Sequence, residues 1–195
     1  MKTKKYWIWA SVIICCIVSS PMVVSGISGE EKAQLEYYGI STLHGLTGVV
    51  PIVSLLKDEE TKLDSATQNN LQTKVELQLR KAGIRVMSNT EKPGAGRFNV
   101  MLTVQKVADM SVYAVCYSAS LYQEVELIRN TEIHTEAPTW PSLLQQPTGF
   151  IVGEANLEKA IKNNVGNKVN EFINDYLAAN PKVPPKKENE NKLED

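Results

Sequence analysis

Two stretches of the chain carry apolar side chains at helical spacing. Leu71, Val75, Leu79 and Ala82 fall on one stripe, with Gln68, Lys74, Gln78 and Lys81 off it. Asp64 or Ser65 can cap the first turn, Arg80 and Lys81 suit the negative end of the dipole, and Gly83 can take the left-handed conformation that stops a helix. Leu157, Ile161, Val165, Val169, Phe172, Ile173, Tyr176 and Leu177 form a longer stripe that Asn180 and Pro181 end. Elsewhere the period is two. Phe98, Val100, Leu102 and Val104 alternate with polar positions, and so do Tyr113 to Leu121, where Cys116, Ser118, Ser120, Tyr122, Glu124 and Glu126 take the second face. Val49 to Leu56 is a short β-branched run with Pro51 suited to an edge, Ile84 to Met87 reads as a strand, and Thr131 to Trp140 as another, broken at Pro138. Pro93 to Gly96 reads as a loop.

One apolar face per strand and two one-sided helices predict an α/β (α+β) fold. The expected form is a two-layer sandwich with a mainly antiparallel sheet of 4–5 strands. Helices at about 65–82 and 155–179 should cover one face and leave the other polar and partly open.

The ends have a different character. Lys2, Lys4 and Lys5 precede an uncharged apolar run from Tyr6 to Val18, and Val24 and Gly26 stand at the −3 and −1 positions of a cleavage site. Residues 1–26 therefore read as a signal peptide, which predicts a secreted or periplasmic protein of the cell envelope. The competing reading is an inner-membrane anchor through residues 6–24, long enough to span a bilayer if uncleaved. Cys15 and Cys16 lack the small preceding residue that lipidation wants, since Ile14 precedes the first. Residues 27–35 read as a flexible segment, 36–180 as a single domain, and 181–195, rich in Pro, Lys, Glu and Asn, as a disordered tail.

Cleavage leaves Cys116 without an internal disulfide partner, so burial of apolar surface must stabilise the domain. It also leaves 18 basic against 22 acidic side chains with no basic cluster, which argues against nucleic-acid binding.

The run Phe172-Ile173-Asn174-Asp175-Tyr176-Leu177-Ala178-Ala179-Asn180-Pro181 resembles the ending of a family of uncharacterised secreted bacterial proteins. The likeness extends through Thr73–Ile84, Tyr113–Leu127 and Thr139-Trp140. That resemblance brings no activity and no site residues. The element order is similar, at the level of fold, to small βαβββα envelope domains such as the amino-terminal domain of TolB, a likeness that carries no function.

Candidate chemistry is sparse. His134-Thr135-Glu136 has the His-x-Glu spacing of zinc deaminases without their Pro-Cys-x-x-Cys partner, and His44 lies in a Gly-rich approach to a strand. No HExxH, G-x-S-x-G or P-loop occurs, and Ser142 has no adjacent base. Glu124 and Glu126 share a strand face as a carboxylate pair, and Cys116 reads as a packed thiol. Tyr37, Tyr38, Tyr113, Tyr122, Trp140 and Phe150 could line a groove.

The expected function is a non-catalytic secreted or envelope-associated module that binds a protein partner, with no cofactor, metal or nucleic acid. Trp140, Tyr122 and Glu124 are the candidate binding surface. The alternatives are a small-molecule or lipid carrier or sensor and, third, an unrecognised hydrolase. The signal reading predicts a mature protein that begins at Ile27. Intact-mass analysis of the protein from its native cells should show that start, and a chain retaining residues 6–24 would instead establish the anchor.

Overall fold

In chain order the elements are α1 (Gly29–Ser41), β1 (Gly48–Lys57), α2 (Ser65–Lys81), β2 (Ala95–Lys106), β3 (Val112–Leu127), β4 (Asn130–Trp140), β5 (Thr148–Gly153), a 3₁₀ turn (Glu154–Asn156) and α3 (Leu157–Ala179). This computed structural model describes residues 28–61, 63–88, 94–127, 129–140 and 148–181. The proposed signal segment, Ser142 and the tail beyond Pro181 lie outside the described residues.

Helix α2 forms for the reasons legible in its sequence. Asp64 accepts from the Thr67 amide at 2.8 Å, which holds its carboxyl below the usual carboxylate range. A carboxylate lowered in this way favours the fold at neutral pH, and its contribution is lost as pH falls through the lowered value. At the other end Gly83 takes φ +83°. Its N–H donates to the Arg80 carbonyl and the Ile84 N–H to that of Leu79, the two bonds of a Schellman cap. Leu79 and Ile84 are both buried, which supplies the apolar contact that accompanies the motif.

The sheet order is β1-β2-β3-β4, with β5 also pairing β3. β1 and β2 run parallel, joined by α2 as the crossover, and the other three pairs are antiparallel. β4 and β5 share one side of β3, alongside its second and first halves respectively. Leu71, Val75 and Leu79 of α2 and Ile161, Val165, Val169 and Phe172 of α3 join Val53, Phe98, Val100, Leu102, Tyr113, Val115 and Leu121 in one core. Both helices therefore cover the same sheet face. Each large side chain buried there contributes roughly 1.5–3 kcal/mol before conformational entropy is subtracted.

Five features depart from the sequence expectation, one being that β4 runs through Pro138 without the break expected there. A third helix, α1, occupies most of the segment read as flexible (27–35) and extends to Ser41. Ile84 to Met87 makes one parallel bridge, Val49 to Val86, instead of a strand. Ala95 and Gly96, read as loop, open β2. β5 was not anticipated; its run Phe150-Ile151-Val152 is too short for periodicity to register.

The missing strand has a local cause. Val49 donates to the Arg85 carbonyl and accepts from Met87, but the next outward residue on β1 is Pro51, which has no N–H to continue the ladder. Gln72 of α2 takes over. Its amide donates to the Pro51 carbonyl at 2.8 Å and accepts from the Val53 N–H at 2.9 Å, while Gln68 donates to the Val53 carbonyl at 2.9 Å. Helix side chains thus close the edge of β1 to further strands.

The segment from Phe172 to Pro181 is a structural staple. Phe172 stacks on Phe98 with centroids 4.4 Å apart and meets Trp140 edge-on at 5.0 Å. Asp175 accepts from the Trp140 indole at 2.8 Å. Asn180 donates to the Leu43 carbonyl at 2.9 Å and accepts from the Gly45 N–H at 3.0 Å, which fixes the α1–β1 loop to the end of α3. For the edge of β1, Gln72→Ala should cost about 1–3 kcal/mol in urea unfolding, because Val53 N–H and the Pro51 carbonyl lose their partner. An unchanged unfolding midpoint would show that the edge does not depend on it.

Candidate functional site

Alternation along the strands leaves the second sheet face away from α2 and α3. The registers set its rows: Leu56–Thr103–Cys116–Gly149, then Ser54–Met101–Ser118, then Ile52–Asn99–Ser120, and finally Val50–Arg97–Tyr122–Pro138. The β3 column is built of small side chains, so the larger ones flanking it stand clear. Ile52 (39% exposed), Met101 (49%), Leu56 (57%) and Ile151 (73%) all present apolar surface to solvent. Cys116 belongs to this face and is half-buried.

Beyond the last row the face becomes charged and concave. Gly94, Ala95, residues 122–126 of β3 and residues 134–136 of β4 line a half-open groove of about 470 Å³. Glu124 pairs across the strands with Glu136, and Glu126 with His134. Like charges placed opposite one another repel, and each of the paired glutamates has a nitrogen group close by. Arg97 Nη2 lies 2.7 Å from Glu136 Oε2, and His134 Nδ1 lies 3.4 Å from Glu124 Oε1. The Arg97 guanidinium also sits 5.3 Å from the centroid of the Tyr122 ring, in cation–π reach. Arg97 and Glu136 are both substantially solvent-exposed, so their ion pair contributes modestly. Among the described residues no hydrogen-bond partner meets Arg97 Nε or Asn99 Oδ1, both buried on the same face.

This arrangement can hold a cationic group against carboxylates with an aromatic wall beside it. Among the described residues no group of three or more His, Cys, Asp or Glu side chains is placed to hold a metal ion.

Of the three candidate binding residues, the structure brings Tyr122 and Glu124 together in this groove. Trp140 does not join them. It is 1% exposed on the helix-covered face, where it packs against Phe98 and Phe172. The wider aromatic set also divides. Tyr113 is buried, Phe150 packs edge-on against Tyr117 in the core layer, and Tyr37 and Tyr38 are exposed on α1. His134 and Glu136 do share a face, as their spacing implies, while His44 lies in the turn after α1. Arg97 was missed by sequence reasoning. The alternation around Phe98 places it on the polar face, but only the β2–β3 register sets it opposite Tyr122.

Among the described residues the fold is a two-layer α+β sandwich whose second sheet face no helix covers. In comparisons with known proteins, no family model and no curated protein matches the chain. Among the described residues no helix is long and apolar enough to cross a membrane.

The Arg97–Glu136 contact predicts a measurable coupling. A double-mutant cycle with Arg97→Gln and Glu136→Gln should give about 0.2–1 kcal/mol at low ionic strength and less in about 0.5 M NaCl. Zero coupling at low salt would mean that the pair does not organise the groove.

Proposed function

We propose that the protein is a non-catalytic, secreted or envelope-associated module that binds a protein partner on the uncovered sheet face. The observation that carries this reading is the combination on one face of exposed Ile52, Leu56, Met101 and Ile151 with the carboxylate-lined groove beside Tyr122. Exposed apolar side chains rimmed by charge are the anatomy of a protein interface. The partner that fits places apolar side chains over the Ile52–Met101–Leu56 rows and a lysine or arginine in the groove, against Glu124 and Glu126. Charge complementarity of this kind fixes orientation and speeds encounter. Binding by strand addition at β1 is disfavoured, since Gln68 and Gln72 occupy that edge. The amino-terminal pattern Lys2–Gly26 supports the secreted location. The family and TolB-like resemblances are compatible with an envelope role and add no residues to it.

Crosslinking of tagged full-length protein in its native cells, followed by mass spectrometry, tests the assignment. A recurrent partner should be lost from Met101→Asp and from Glu124→Lys but kept by Leu77→Asp, an equally exposed apolar position on α2. Equal capture by all three variants, or no recurrent partner, would contradict the reading.

A further inference from the structure

The groove opens beside the point where the chain leaves α3. Asn180 Oδ1 accepts from the Gly45 N–H at 3.0 Å. The Gly45 carbonyl in turn lies 3.5 Å from where a β-carbon on Gly94 would stand, and the Gly94 carbonyl accepts from the Thr47 N–H at 2.9 Å. Gly94 is part of the groove wall. A single loop residue therefore separates the end of the last helix from the groove.

The sequence that follows Pro181 is Lys182-Val183-Pro184-Pro185-Lys186-Lys187, three cations with no acid among them. The groove presents Glu124, Glu126 and Glu136, of which Glu136 already holds Arg97. We propose that residues 182–187 dock in this groove of their own chain, with Lys186 and Lys187 against Glu124 and Glu126. The inference rests on the partner-binding reading of the same groove, and it makes this segment an internal competitor that a partner must displace.

Reach and entropy both allow it. Six extended residues span about 20 Å, enough to round a sheet edge whose layers are about 10 Å apart. Pro184 and Pro185 have fixed φ, so less conformational freedom is lost on docking. Attachment at Pro181 converts binding into an intramolecular event at an effective concentration in the millimolar range, so weak ion pairs suffice for occupancy. The same weakness lets a partner with additional apolar contacts to Ile52 and Met101 displace the segment.

The test is zero-length carbodiimide crosslinking of the full chain, using an equimolar mixture of ¹⁵N-labelled and unlabelled protein. Amide links from Lys182, Lys186 or Lys187 to Glu124 or Glu126 should appear within chains of one label and fall about tenfold in 1 M NaCl. Links from these lysines spread over helix acids such as Glu158 and Glu171 would overturn the proposal. Links found mainly between differently labelled chains would overturn it too, because the occupant would then be a second copy. Failure here is separable from failure of the partner-binding reading. Crosslinking reads the groove's internal occupant, whereas Met101→Asp lies outside the groove and reads the partner.

Discussion

The seating of α3 on Phe98 and Trp140 is the constraint on which the rest depends. Phe172 fills the space between those rings, and Asp175, one turn on, satisfies the indole N–H that burial of Trp140 would otherwise leave unpaired. The same turn positions Tyr176 and Asn180 over the α1–β1 loop, so the helix end, the first strand and the close of β4 are fixed together. This aromatic and polar lock supplies cohesion to the small core.

Committing both long helices to one sheet face determines what the other face can be. Small side chains along β3 keep it flat, the flanking apolar residues stay exposed, and the change at Tyr122 to glutamates turns its end into a charged groove. The edge of β1 is sealed by glutamine side chains where Pro51 interrupts the ladder. The exposed sheet face is therefore a better candidate for recognition than that edge, and Gly45 links Asn180 at the end of α3 to Gly94 of the groove wall.

Much of the fold was legible because it depends on periodicity. The stripes of α2 and α3, the Gly83 stop and the alternation of β2 and β3 all appear where local sequence places them. What was illegible depends on pairing. Ile84 to Met87 has strand composition, yet Pro51 on its neighbour denies it a second ladder bond. The apolar stripe of α1 is weak, so nothing in Gly29–Ser41 announces a helix that docks on α3 and β4. The candidate site divides along the same line. Tyr122 and Glu124 share a strand, so their common face follows from spacing two apart. The bulge between Leu121 and Tyr122 and the reach of Asp175 send Trp140 to the core. Arg97 meets Tyr122 and Glu136 of the groove only through the β2–β3 register.

Hydroxyl-radical footprinting of the purified protein, read by mass spectrometry at side-chain resolution, tests the central claim most directly, that one sheet face is sealed and the other open. Met101 and Ile151 should oxidise readily while Trp140 and Phe172, despite their intrinsic reactivity, stay protected until the protein unfolds. Rapid oxidation of Trp140 in the native protein, or protection of Met101 in the isolated chain, would contradict the arrangement on which the proposed binding surface rests.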